Sequence, residues 1–425
     1  MEQLNSRLLL KNADIRRFWQ SQLAAAIGSR VSREGLPIIA IIAASATAWQ
    51  LGMLAALATL PTLLLGNLLG HWVDRTPRRP LLLGASVVRT GLLALVPVLY
   101  LLHHLNFSLI ALITVLIAAT GLLQAISRHA YLPFLVSRTH LESGNHLLET
   151  AESIGETTGP GIMGILMQSL GAPFAMIFDA AANLVAAGLL TSISRQEDRP
   201  GTTQRTTGPR SPLRHARQAW RQVAQHPILS PLWYNVAVSS FFAGFFSALY
   251  EFYALKTLSL SPLWLGALIT GGGLGSLVGT GLYRRIRKHW SLPRTIFLGY
   301  VASALFDSAV PLAHGLLWQS FLYLLAAQFG GDLFATVSQI GAATVEQDVT
   351  PDHWLGQVRG SFQALGGGLE VLGALVSGLL SLFMPVRGVM ALASFGLVAA
   401  APILAKGSLR HFSQDNMRWK GYHWR

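Results

Sequence analysis

Cysteine is absent from the chain, which excludes disulfides and thiolate metal sites and removes any inference about redox compartment. Charge is almost as scarce, with Asp, Glu, Lys and Arg making up 12% of the 425 residues, about half the share of an ordinary soluble domain. No G-x-x-x-x-G-K-[ST] phosphate loop occurs, so nothing points to ATP hydrolysis within this chain. No nucleophile and base recur at a recognisable spacing, which argues against an enzyme working inside a membrane. His103, His104 and the tail histidines lack the spacing of a metal site, and neither metal nor cofactor is expected. The glycine-rich GGGLGSLVG at 271–279 sits inside an apolar run with no strand before it, so it reads as close helix packing rather than a dinucleotide loop.

What the chain has is apolar length. Hydrophobic residues make up 52% of it, and runs near 18 residues recur throughout, each about long enough to cross a 30 Å hydrocarbon layer as a helix. The first run begins near Phe18 and ends about Ala44, holding Arg30, Arg33 and Glu34 inside it. Further spans fall near 49–73, 81–102, 107–128, 146–170 and 173–194. Residues 195–227 break the pattern with seven arginines, Gly, Pro, Ser and Thr, and a short helical piece near the end. Six more spans follow near 229–254, 262–283, 294–313, 316–342, 358–383 and 387–407. The expected architecture is an all-α membrane protein: a six-helix half at 1–194, a basic linker at 195–227, a second half at 228–407 and a basic tail at 408–425. No removable signal peptide is read at the start.

Charge layout gives the topology. With both termini on the cytoplasmic side, 27 of the 32 Lys and Arg fall in inner segments, while the outer turns keep only Lys256 and Arg387. An odd number of spans in either half would destroy this separation, so twelve helices in a cell inner membrane are expected. The net charge of +13 is thereby explained without nucleic acid, which is not expected as a partner.

Two stretches carry motifs. GNLLGHWVDRTPRRP, from Gly66 to Pro80, joins spans 2 and 3 and holds Gly70, Asp74, Arg75, Arg78 and Arg79. GETTGPGIMG, from Gly155 to Gly164, lies in span 5 with Gly155, Gly159, Pro160 and Gly164 at set intervals. The first resembles the 2/3-loop signature of the major facilitator superfamily, G-x-x-x-D-[RK]-x-G-[RK]-[RK], with Pro77 where the family has its second glycine. The second resembles the G-x-x-x-G-P-x-x-G-G element of that superfamily's antiporters, with Met163 replacing one glycine. The specific motifs cover only these two stretches; the likeness in span number and charge layout covers the whole chain. The resemblance is nearest to bacterial drug, macrolide and siderophore exporters. It implies two pseudo-symmetric halves, a substrate path between them near the bilayer midplane, and a monomer.

Candidate residues follow from buried charge, because a charge inside a span is costly unless paired or wetted. Arg30 and Glu34 are four apart on span 1, hence on one face. Asp332 lies near the middle of span 10. Since the resemblance implies that spans 1, 4, 7 and 10 line a cavity, Glu34 and Asp332 lead as proton carriers, with Asp307 and Glu251 behind them and Glu370 and Asp179 weaker still. A carboxylate stranded in a low-dielectric cavity holds its proton more firmly, whereas an arginine partner keeps it charged. Arg30, Phe241, Phe245 and Tyr250 are candidate cavity residues. Gly70, Asp74, Arg75, Arg78 and Arg79 form a candidate conformational latch, with Arg89 read as a structural partner for a buried acid. Glu152 and Glu156 are read as gating residues that meet the surroundings of Asp74 or the basic residues of the inner turns.

The expected function is export of a small organic molecule by alternating access, coupled to protons, with membrane lipids as surroundings. The alternatives are a facilitator or symporter without proton antiport, including for lipid-like substrates, and a non-transporting membrane sensor or assembly partner.

Overall fold

A computed structural model describes residues 9–137, 140–194, 220–405 and Leu409. The linker expected at 195–227 is described only from Trp220 onward, and most of the tail lies outside the described residues. Twelve long helices follow in order: α1 Ala13–Ile42, α2 Ala48–Arg75, α3 Arg78–Leu101, α4 Phe107–Leu135, α5 Leu141–Leu170, α6 Met176–Thr191, α7 Leu229–Phe252, α8 Pro262–Ile286, α9 Leu292–Asp307, α10 Leu317–Val349, α11 Asp352–Leu380 and α12 Val386–Leu404. Short 3-10 turns precede α6 and follow α9, and α7 continues as one π-helical turn, Tyr253–Thr257.

Local chemistry sets several boundaries. Asn12 caps α1 by accepting from the backbone N–H of Asp14 and Ile15, and Asn106 caps α4 through Leu109. Thr47 and Gln50 form a reciprocal capping box at the start of α2. The turn between α2 and α3 is only Thr76 and Pro77, both in extended backbone, with φ of −123° and −54°. Neither residue needs positive φ, so proline fits where the family signature has glycine, and it leads directly into α3.

Ten of the twelve helices are long and apolar enough to cross a membrane. The two that fall short are α1, with Arg30, Arg33 and Glu34, and α5, with Glu142, Glu149, Glu152 and Glu156. Those two pack directly on each other.

The chain divides into two compact units, residues 1–204 with 261–270, and residues 205–260 with 271–425. Within the first unit α1 packs on α5 and α6, α2 on α4, and α3 on α4 and α6. The second unit repeats this scheme six helices later: α7 packs on α11 and α12, and α9 on α10 and α12. Gly275 and Gly279 of α8 lie against the Phe329 and Leu333 backbone of α10, completing the correspondence. Each unit also closes one end with an apolar cluster drawn from equivalent places. Phe18, Leu82, Tyr131, Leu148 and Leu190 do this in the first, and Leu232, Trp233, Ile296, Val349 and Leu404 in the second.

Several helices outrun the expected spans. The polar stretches expected as turns after spans 4 and 10 are largely helical: α4 continues to Leu135, α10 to Val349, and α11 already starts at Asp352. α10 has 33 residues, about 50 Å at 1.5 Å per residue, well beyond a hydrocarbon core. Loss of hydrophobicity ended the expected spans, but helices continue into water when no breaker intervenes.

At the second unit's start, the fully buried His226 accepts through Nδ1 from the backbone N–H groups of Ile228 and Leu229, each at 3.2 Å, as α7 begins. Burial pushes its pKa down to about 4. The unfolded chain takes up this proton near pH 6.5 while the folded chain resists it until about 4, so stability is full above 6.5 and falls across that window. The melting temperature of the purified protein should therefore drop between pH 7 and pH 5, and His226→Gln should flatten the profile. An unchanged slope in the variant would refute this role.

Candidate functional site

In the first unit Asp179, Glu152 and Glu156 each meet an arginine. Asp179 of α6 and Arg89 of α3 meet at 2.9 Å with side chains 0% and 5% exposed. The same guanidinium donates to Ser32 Oγ of α1 at 2.8 Å and to the Ile117 carbonyl of α4 at 3.5 Å. Asn183, one turn on from Asp179, donates to its Oδ1 at 2.7 Å and accepts from Gln124, which also donates to Ser86. Four helices are thus tied by one buried polar network. Arg89 belongs to this network, and Asp179 is the acid it meets. Ser32, Ser86, Gln124 and Asn183 were not singled out from the sequence; their only signal is a polar side chain within an apolar span.

A second set of charges lies between α1 and α5. Arg30 bonds Glu156, and its Nη1 lies 3.9 Å from Glu34. Arg128 of α4 bonds Glu152. Glu156 therefore goes to span 1 and Glu152 to an arginine two turns from the end of α4, and neither of these bonds involves Asp74. The crossing is close because of glycine: a Cβ on Gly155 would fall 2.8 Å from the Ala26 backbone, and one on Gly159 would overlap Cβ of Arg30. Pro160 is buried, and Gly164 lies against Gly266, where a Cβ on Gly164 would fall 3.2 Å from the Gly266 Cα. Gly159→Val is expected to cost about 1–3 kcal/mol through overpacking, read as a lowered melting temperature; a wild-type value would remove the close-packing account.

The latch candidates spread over two jobs. Asp74 and Arg75 are exposed at the end of α2, and a side chain at Gly70 would meet nothing within 4 Å. Arg79 donates to the Leu190 and Thr191 carbonyls at 3.0 and 2.7 Å, closing the C-terminus of α6. Asp14 accepts from the Ser194 N–H at 3.0 Å, and Arg17 donates to the Ser192 carbonyl, so the same end is held from α1 as well. Arg78 is half-buried at the start of α3.

In the second unit two carboxylates come together. Asp332, sixteen residues into the 33 of α10, accepts from Gln328 at 3.0 Å and lies against Gly272 of α8. Asp307 ends α9 and packs on α10, where a Cβ at Gly331 would sit 2.5 Å from its Oδ1. Tyr250 of α7 lies within electrostatic reach of both acids, and its buried hydroxyl has no hydrogen-bond partner among the described residues. Among those residues no Lys, Arg or His forms an ion pair with Asp307 or Asp332. Glu251 is half-buried on α7 and Glu370 is exposed on α11. Of the expected cavity aromatics, Phe245 is 1% exposed and packs with Phe241 and Phe242, so its ring serves the α7 core. Among the described residues no group of three or more metal-ligating side chains is found.

The model of the Major Facilitator Superfamily matches residues 23–374. Curated protein sequences give no significant match. Among solved structures the fold is similar to a bacterial homologue of the iron transporter ferroportin in an inward-facing state, at 12% identity and TM-score 0.71, covering 92% of this chain and 98% of that one. It is also similar to the nucleoside transporter NupG, at 10% identity and TM-score 0.71, covering 93% and 99%. A bacterial homologue of the human lysosomal transporter Spinster gives 13% identity and TM-score 0.60, covering 94% and 95%. With a family match over most of its length and a twelve-helix fold shared with these transporters, the chain belongs to the major facilitator superfamily and is a multi-pass membrane transporter rather than an enzyme.

Proposed function

We propose that this transporter exports a small organic molecule by alternating access, with protons moving inward as the driving force. The reading is carried by the contrast between the acids of the two units. Asp179, Glu152 and Glu156 each have an arginine, whereas Asp307 and Asp332 share one neighbourhood with Tyr250 and Gln328 and have no cationic partner among the described residues. A carboxylate left charged and unpaired at such a depth is expensive. Binding a proton on one side and losing it on the other is the chemistry such a pair supports. Glu34, with Arg30 at 3.9 Å, is the second candidate carrier. Export rather than uptake follows from the resemblance of Gly155, Gly159, Pro160 and Gly164 to the antiporter element. In this reading the α2–α3 turn with Asp74, Arg75, Arg78 and Arg79 is the latch, and the protein works as a monomer in the inner membrane with both termini inside.

Flux of candidate organic substrates into proteoliposomes, with and without an imposed pH gradient, tests the proposal. Substrate accumulation should require the gradient and should itself move protons in the opposite direction. Equal flux in both conditions would instead identify a facilitator.

A further inference from the structure

The α8–α9 turn is the counterpart, six helices later, of the arginine-bearing α2–α3 turn, yet its bases are differently placed. Arg284, Arg285, Arg287, Lys288 and Arg294 fall within eleven residues that contain no Asp or Glu. Arg284, Arg285, Lys288 and Arg294 are exposed. Arg287 donates to the Trp290 carbonyl, and the Arg294 guanidinium lies 5.1 Å from the centre of the Trp290 ring. Among the described residues Arg284, Arg285 and Lys288 form no ion pair or hydrogen bond through their side chains. Elsewhere three arginines have work inside the protein: Arg17 and Arg79 hold the end of α6, and Arg128 holds Glu152. The C-terminal partial charge of α8 accounts for Arg284 and Arg285. It does not account for Arg287 and Lys288, which lie beyond the end of α8, nor for Arg294, which is in the first turn of α9.

The cluster joins two membrane-spanning helices, so it sits at headgroup level, and Trp290 is the residue type that favours that layer. Four to eight bases directly beside a span, free of acids, match the negative surface of anionic lipid. We infer that the α8–α9 turn binds the headgroup of an anionic phospholipid of the surrounding bilayer, the phosphate lying against Arg284, Arg285 and Lys288 with Trp290 beside the glycerol region. This site does not depend on the transport reading above.

Native mass spectrometry of the full chain in detergent, titrated with phosphatidylglycerol, phosphatidylcholine or inorganic phosphate, tests the inference. Each cation is worth about fivefold in affinity, so the R284Q/R285Q/K288Q variant should retain phosphatidylglycerol roughly a hundredfold more weakly. Phosphatidylcholine binding should be unchanged. R284K/R285K should behave as wild type, and K288Q alone should lose about fivefold, which keeps the test decisive if the triple variant fails to fold. Wild-type retention by the triple variant, or by K288Q, would overturn the inference. So would inorganic phosphate binding as tightly as the lipid, which would make this a site for the free anion.

Discussion

Asp179→Ala is expected to lose a large share of the fold's stability, and Arg89→Ala to do the same. Removing one partner strands the other charge among α1, α3, α4 and α6, where both side chains are at most 5% exposed. Breaking such a pair costs about 3–5 kcal/mol, against a total stability of about 5–15 kcal/mol. Asp179→Asn should be milder, because no charge is added and its single amide oxygen can still accept from Arg89, although the amide nitrogen then faces the Asn183 donor. The double variant R89L/D179L should recover part of the loss, since no uncompensated charge remains. Melting of detergent-purified protein, followed with its size-exclusion profile, checks the series. Wild-type melting in both single variants, or a double variant as poor as the sum of the singles, would show that the network is not what holds these four helices together.

The second large effect concerns transport. Asp332→Asn should abolish flux driven by a pH gradient while the protein still melts as wild type, because Gln328 and the asparagine amide can keep their hydrogen bond. Asp307→Asn should do the same, because the amide nearly matches the carboxylate in size and shape. A carrier that cannot exchange its proton loses coupling rather than fold, so the informative comparison is gradient-driven against gradient-free exchange in the same vesicles. Coupling that persists in both single variants would remove the acids of the second unit from the mechanism and shift the role to Glu34. Loss of gradient-free exchange as well would indicate that these carboxylates hold a cationic substrate directly.

Much of the fold was legible because a bilayer makes a simple demand. Apolar length gave the twelve helices that the described residues contain. Helix ends were less legible: the stretch 127–145 looks like a loop for its polar content, yet α4 runs on to Leu135 and α5 already starts at Leu141. The site was legible in kind but not in pairing. Arg30 visibly needed an acid, and Glu34 one turn away was the nearest in sequence; the bonded partner is Glu156, 126 positions on. Arg89 and Asp179 are 90 positions apart. Such choices depend on how each helix is rotated about its own axis, which hydrophobic periodicity does not specify when a span is apolar all round. The aromatic run on α7 was ambiguous for the same reason; within it Phe245 is buried and packs with Phe241 and Phe242.

The two helices too polar to qualify as spans on their own, α1 and α5, are joined through Arg30 and Glu156. An arginine at the centre of a lone helix costs about 2.5–3.5 kcal/mol during insertion, and Arg30 leaves the ribosome 126 residues ahead of its partner. Until α5 is made, Arg30 lacks the acid it bonds in the folded unit. The first helix is therefore expected to settle fully in the bilayer only after α5 has emerged.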